Sequence, residues 1–155
     1  MWSFVEFLPG TRNVAPLTEH EVRRAAATFL AFDQDVPFRH EAGQPTSFRV
    51  IPATEEHEEY GEIVFGEDLY PGPNVANPNA SLTMRAAVAH EIAHFYRWRD
   101  KRALAGDALT HLDEAFTSLD AAQAFAAKLS PNEVQGLIAD AMERLRLHQQ
   151  QLGEG

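Results

Sequence analysis

Cysteine is absent from the 155-residue chain, so neither a disulfide nor a thiolate metal site can form, and any metal must be held by His, Asp or Glu. Long apolar runs are absent as well: nothing approaches the roughly 18 consecutive apolar residues needed to span a bilayer. Positive charge is scarce. Thirteen Lys and Arg stand against 23 Asp and Glu, a formal charge of −10, so phosphates would on average be repelled and nucleic acid is not expected as a partner. The opening MWSFVEFLPG has no basic start and is too short and interrupted for a secretion signal, which makes the cytoplasm the expected compartment. At 45% apolar, the chain can bury a core as one domain, expected over residues 1–150, with a frayed tail at 151–155.

What is present is a pattern of imidazoles and carboxylates. His90, Glu91 and His94 form H-E-x-x-H within the stretch Ser81 to Ala105. Residues four apart on a helix lie about 40° apart around the axis and one turn along it, so both imidazoles face the same way. Glu91 points to one side of the pair. That arrangement suits a zinc hydrolase, in which two neutral nitrogens hold the metal and the carboxylate takes a proton from metal-bound water. Chance places such a pentapeptide in roughly one sequence in thirty of this composition, so the motif alone is weak. Its helical context strengthens it: Met84, Val88, Ile92 and Phe95 cluster opposite the histidines as a stripe to be buried, and Ala87 leaves room one turn before them.

The rest of the chain reads as a short antiparallel sheet followed by helices, an α+β domain. Trp2 to Leu8 alternates weakly, as a short strand would, and Pro9-Gly10 ends it. Thr18 and Glu21 make a capping box for a helix to about Phe32. Asp33 to Pro45 reads as connection. Strands are expected over Ser47 to Pro52 and Tyr60 to Phe65, separated by the acidic run Glu55 to Glu59, which could be a cation site but reads better as a solvated hairpin tip. A Pro-rich loop from Tyr70 to Asn79 leads into the motif helix, with Asn79 or Ser81 as its cap and Gly106 as its first stop signal. A second helix is expected from Thr110 to Leu129, and a third, opened by Ser130-Pro131-Asn132-Glu133, to about His148.

A hydrolytic zinc normally takes a third protein ligand. Asp100 stands six residues after His94, but if the helix continues through FYRWRDK it lies about 9 Å further along the axis and roughly 100° off the histidine face. It reads better as a surface aspartate. Glu114 follows His94 by twenty residues and falls near the start of the next helix, which could pack back beneath the histidines. The alternative is an exposed first-turn glutamate favoured by the helix dipole.

The pair AHEIAH and Asp113-Glu114-Ala115 resembles the gluzincins, thermolysin-like zinc peptidases with H-E-x-x-H on one helix and a glutamate on the next. The nineteen-residue gap matches the thermolysin spacing, and Asp113-Glu114-Ala115 is similar to that family's Asn-Glu-Ala. The resemblance covers about thirty residues. It implies a zincin-like fold, Zn2+ held by His90, His94 and Glu114, and Glu91 as general base and acid. The family has an aspartate four residues after the ligand glutamate, bonded to a metal histidine; here that position is Ser118, and Asp120 would point away on a regular helix. The chain is too short beyond Glu114 for the family's second subdomain, so a minimal single-domain version is implied.

His111, three residues before Glu114, could share its face as a ligand or transition-state donor, or be a surface histidine. Tyr96 and Tyr70 are further candidate donors for developing charge, with Tyr96 also suited to the core. Trp98 and Arg97 fall one turn past His94, where they could line a cleft or pack under a loop. The function expected is a zinc-dependent peptidase acting on a protein or peptide, with the strand Tyr60 to Phe65 as the edge that aligns an extended substrate. Two rivals are a non-proteolytic zinc-binding regulatory or interaction module that keeps the fold, and metal-assisted hydrolysis of a small molecule in a closed pocket. Oligomeric state is not legible.

Overall fold

The computed structural model describes residues 12–72 and 82–154. The strand expected at 2–8 and the caps expected at Asn79 and Ser81 lie outside them. The elements are α1 (Glu19–Phe32), β1 (Phe38–His40), β2 (Ser47–Ile51), β3 (Tyr60–Phe65), α2 (Met84–Arg99), α3 (Thr110–Ala124) and α4 (Pro131–Glu154), with short 3-10 turns at Glu67–Leu69 and Asp107–Leu109.

The α+β expectation holds, and the sheet differs from it in one respect. Its order is β1-β3-β2; β2 pairs antiparallel to β3, but β1 pairs parallel to it, with Phe38 opposite Ile63 and His40 opposite Phe65. The sheet is therefore mixed. β1 escaped the sequence reading because it has three residues between Pro37 and Gly43, too few to show alternation. It is fixed from behind instead: the Phe38 ring stacks on Phe29 of α1 at 4.8 Å. One glycine is obligatory at the end of β3, where a Cβ on Gly66 would sit 1.6 Å from the Gln44 carbonyl oxygen.

Thr18 caps α1 as expected: its hydroxyl accepts from Glu21 N, and Glu21 accepts from Thr18 N. Ser130 and Glu133 do the same for α4. That last helix does not end near His148 but continues through Glu154. α3 stops earlier than expected, at Ala124, followed by turns to the buried Leu129.

The motif helix α2 lies at the centre and touches α1, the sheet, α3 and α4. Met84, Val88 and Ile92 are buried, as the expected stripe requires. Ala86, Ala89, Ala93 and His90 are buried as well, so the helix is covered all round rather than amphipathic. Thr83 is its N-cap, accepting from Ala86 N at 3.1 Å. It ends at Arg99, well before Gly106. Lys101 adopts φ 58°, and Arg102 N and Lys101 N donate to the carbonyls of Arg97 and Trp98 at 2.7 and 3.1 Å. This is a Schellman ending with lysine where glycine is usual, so no glycine advertised it.

Candidate metal centre

Because α2 stops at Arg99, the chain can turn through Lys101 to Leu109 and return along α3, which packs against the histidine face. This return brings Glu114 to both imidazoles. Its Oε2 lies 2.8 Å from His90 Nε2 and its Oε1 lies 3.1 Å from His94 Nε2. The two rings stand nearly perpendicular, with centroids 4.7 Å apart. The ligand atoms of His90, Glu91 and His94 also lie within 4.8 Å of one another. Each glutamate thus lies close to both imidazoles.

The donor chemistry and spacing fit a divalent cation. A carboxylate cannot accept from two imidazole nitrogens unless each carries a proton or a cation is shared among them. Ligands of a tetrahedral zinc stand about 3.3 Å apart, and the two separations from Glu114 to the imidazoles, 2.8 and 3.1 Å, fall about half an ångström or less short of that. The other ring nitrogens point the same way. Ser118 donates its hydroxyl proton to Asp140 Oδ2 at 2.6 Å, so its oxygen is left to accept from His90 Nδ1 at 2.8 Å. Thr117 likewise donates to the Asp113 carbonyl at 2.7 Å, leaving its oxygen facing His94 Nδ1 at a long 3.4 Å. The Ser118 contact thereby sets His90 with Nδ1 protonated, and both histidines turn Nε2 to Glu114.

Electrostatics divide the two glutamates. Burial pushes the Glu91 carboxyl up, and the charges of His94 and His90 only partly offset it. Burial acts on Glu114 in the same sense, but there the hydrogen bonds and charges of His90 and His94 prevail and hold the carboxyl far below its usual range. For His94, burial disfavours the cation, yet the Glu114 bond and the charges of Glu91 and Glu114 raise its pKa. Glu91 Oε2 is buried with no hydrogen-bond partner among the described residues, a cost that a structural carboxylate would not carry.

A cavity of about 300 Å³ opens over His90, Glu91 and Glu114, walled by Arg12, Asp68, Asp140 and Arg144 among others. On the other side of Glu91 and Glu114, a smaller hollow of about 180 Å³ reaches His94 and is lined by Thr46, Ser47 and Phe48. Arg12 is embedded, donating to the carbonyls of Asp68, Leu69 and Leu82; burial pulls its pKa down to about 10 despite Asp68, Asp140 and Glu91 nearby.

Other residues singled out in the sequence sit elsewhere. Asp100 is the C-cap of α2, exposed and paired with Arg99. The Tyr96 hydroxyl donates to Asp33 at 2.6 Å and its ring stacks on Phe125, so it turns into the α1 side of the core rather than the cavity wall. Tyr70 donates to the Glu21 carbonyl. His111 is not on either wall, although its neighbour Thr110 is. Arg97 is buried and paired with Asp113 and Asp120, and Trp98 packs on Phe48 and Phe95. Position 118 does join the site, but Thr117 and Asp140 were missed. Asp140 shares an i,i+4 pair with Arg144 at 3.8 Å, and that spacing looks like ordinary helix-surface charge.

No described helix is long and apolar enough to cross a membrane. No protein-family model matches this sequence, and comparison with curated proteins and with solved structures returns no significant match.

Proposed function

We propose that this chain is a zinc-dependent peptidase, with His90, His94 and Glu114 as metal ligands and Glu91 as general base. The observation that carries the reading is the Glu114 carboxylate set against both Nε2 atoms, at 2.8 and 3.1 Å, by a helix that starts sixteen residues after the histidines (110 − 94). Held by His90, His94 and Glu114, a zinc ion would supply Lewis acidity and make a neighbouring water more acidic. Glu91 takes the proton of the attacking water and passes it to the leaving amine. Its burial and its unpartnered oxygen suit a carboxyl that must hold a proton part-way through a reaction.

The substrate would lie across the donors rather than within one closed pocket, because Thr46, Glu91 and Glu114 wall both the larger cavity and the smaller hollow. The aligning edge expected at Tyr60–Phe65 has to be reassigned: β3 is the central strand, paired on both sides. Among the described residues β2 is an edge strand, and Ser47 and Phe48 at its start line the hollow, which makes β2 the place for an extended peptide to add.

The test is cleavage of a peptide panel with and without chelator, repeated with Glu91→Gln. Chelator-sensitive cleavage, restored by zinc and lost in Glu91→Gln with zinc retained, is the expected outcome. Cleavage by Glu91→Gln at the normal rate would remove Glu91 from the mechanism. One equivalent of bound zinc with no cleavage of any peptide would favour the non-proteolytic module instead.

A further inference from the structure

Glu114 is followed four residues later by Ser118, whose hydroxyl reaches His90 but carries no negative charge of its own. A carboxylate is nevertheless present. Asp140 enters from α4, 1% exposed, and accepts the Ser118 hydroxyl at 2.6 Å, while the same hydroxyl oxygen faces His90 Nδ1 at 2.8 Å. Ser118 itself is fully buried. The contact is therefore a three-member chain, His90 to Ser118 to Asp140, that crosses from α2 through α3 to α4.

We infer that Asp140 is the positioning residue for the metal centre, acting on His90 through the Ser118 hydroxyl. The inference rests on the metal reading above. The chemistry follows from proton direction. A carboxylate only accepts, so Ser118 must spend its single proton on Asp140. The serine oxygen can then only accept from His90, which fixes a proton on Nδ1 and leaves Nε2 as the nitrogen that would serve a cation. The negative end of the chain, drawn through the polarised hydroxyl, makes His90 a better donor to a cation than a histidine held by a neutral carbonyl. Burying an acid on α4 is costly unless it is paired, and its second oxygen, Oδ1, has no hydrogen-bond partner among the described residues, with the Arg144 guanidinium 3.8 Å away.

The experiment is zinc affinity of the full chain, measured by competition with a chromogenic chelator, for the wild type, Ser118→Ala, Asp140→Asn, the double variant, and Ser118→Asp combined with Asp140→Ala. Circular dichroism of each variant confirms that a folded protein is being titrated. Ser118→Ala and Asp140→Asn should each weaken zinc about 10–100-fold. The double variant should be no worse than Ser118→Ala alone, since the two residues act as one unit. Ser118→Asp with Asp140→Ala should recover affinity, because the carboxylate then meets His90 directly. A role confined to packing α3 on α4 would lower the unfolding temperature without changing the affinity of the folded protein, and that result would overturn the inference. If Asp140→Asn does not fold, an unchanged affinity in Ser118→Ala overturns it equally. A wild type that binds no zinc would instead sink the metal reading itself.

Discussion

Arg97 in the last turn of α2 reaches to 3.0 Å from Asp113 Oδ1, one residue before Glu114. The guanidinium is buried and also holds the Arg102 carbonyl at 2.9 Å and Asp120 at 3.2 Å, while Asp113 further accepts from Leu104 N. These bonds tie the end of α2 to the first turns of α3, and so set where Glu114 meets the histidines. Arg97→Met should cost about 3 kcal/mol, because it leaves Asp113, partly shielded from water, without its cation and takes one of two from Asp120. Asp120 keeps Arg102 at 2.9 Å, which holds the loss to the lower end of the range. Arg97→Lys should recover only part, since a lysine cannot serve three acceptors in one plane. A urea midpoint unchanged by Arg97→Met would remove the pair from this role.

Lys101 carries the left-handed turn that lets the chain reverse after α2. A non-glycine residue pays roughly 1–2 kcal/mol for that conformation, and a glycine returns some of the gain through a freer unfolded chain. Lys101→Gly should therefore stabilise by about 0.5–1 kcal/mol, a rise of roughly 1–4 °C in a chain of this size. A fall in unfolding temperature would mean that the lysine side chain makes up the difference.

These two residues mark the limit of what the sequence shows. The H-E-x-x-H helix and the capping boxes at Thr18 and Ser130 are local patterns, and their residues sit as the spacing requires. β2 and β3 were legible by composition over the residues that form them. β1 was not, because three residues show no period and its pairing partner is more than twenty positions away. The end of α2 was hidden because a lysine occupies a position normally read from glycine. Asp140 was hidden for a different reason: its function depends on which helix packs against Ser118, and helix packing leaves no mark in a linear spacing.

Glu133 joins two helix starts. It accepts from Ser130 N at 3.0 Å at the head of α4, and from the hydroxyl of Thr83, which caps α2. Burial would raise its pKa, but the Thr83 and Ser130 hydrogen bonds and Arg85 outweigh it, so the carboxyl lies below its ordinary 4.5. A depressed folded-state pKa gives stability that is complete above the unfolded value and is lost as pH falls through the folded one. Glu133→Gln should thus cost about 1 kcal/mol near neutrality, where the carboxylate is ionised, and progressively less below pH of about 4. Denaturant titrations of both proteins at neutral and acid pH check this. A difference independent of pH would assign the effect to shape rather than charge.

Zinc should raise the unfolding temperature of chelator-stripped protein, since a ligand that binds the folded state at a thousand times its Kd adds about 4 kcal/mol. In a chain of this size that is roughly 8–16 °C, less whatever zinc binds the unfolded histidines. The variants decide which glutamate completes the site, because both Glu91 and Glu114 lie within reach of the two imidazoles. Glu114 faces both Nε2 atoms and is held ionised by them, whereas Glu91 has an oxygen with no partner and is pushed toward its neutral form by burial. A ligand must give up its proton to the metal, and a base must be able to take one. Glu114→Gln and His94→Ala should therefore lose most of the zinc-induced shift, and Glu91→Gln should keep it. The reverse pattern would make Glu91 the ligand, leave the chain without its general base, and take the peptidase reading with it.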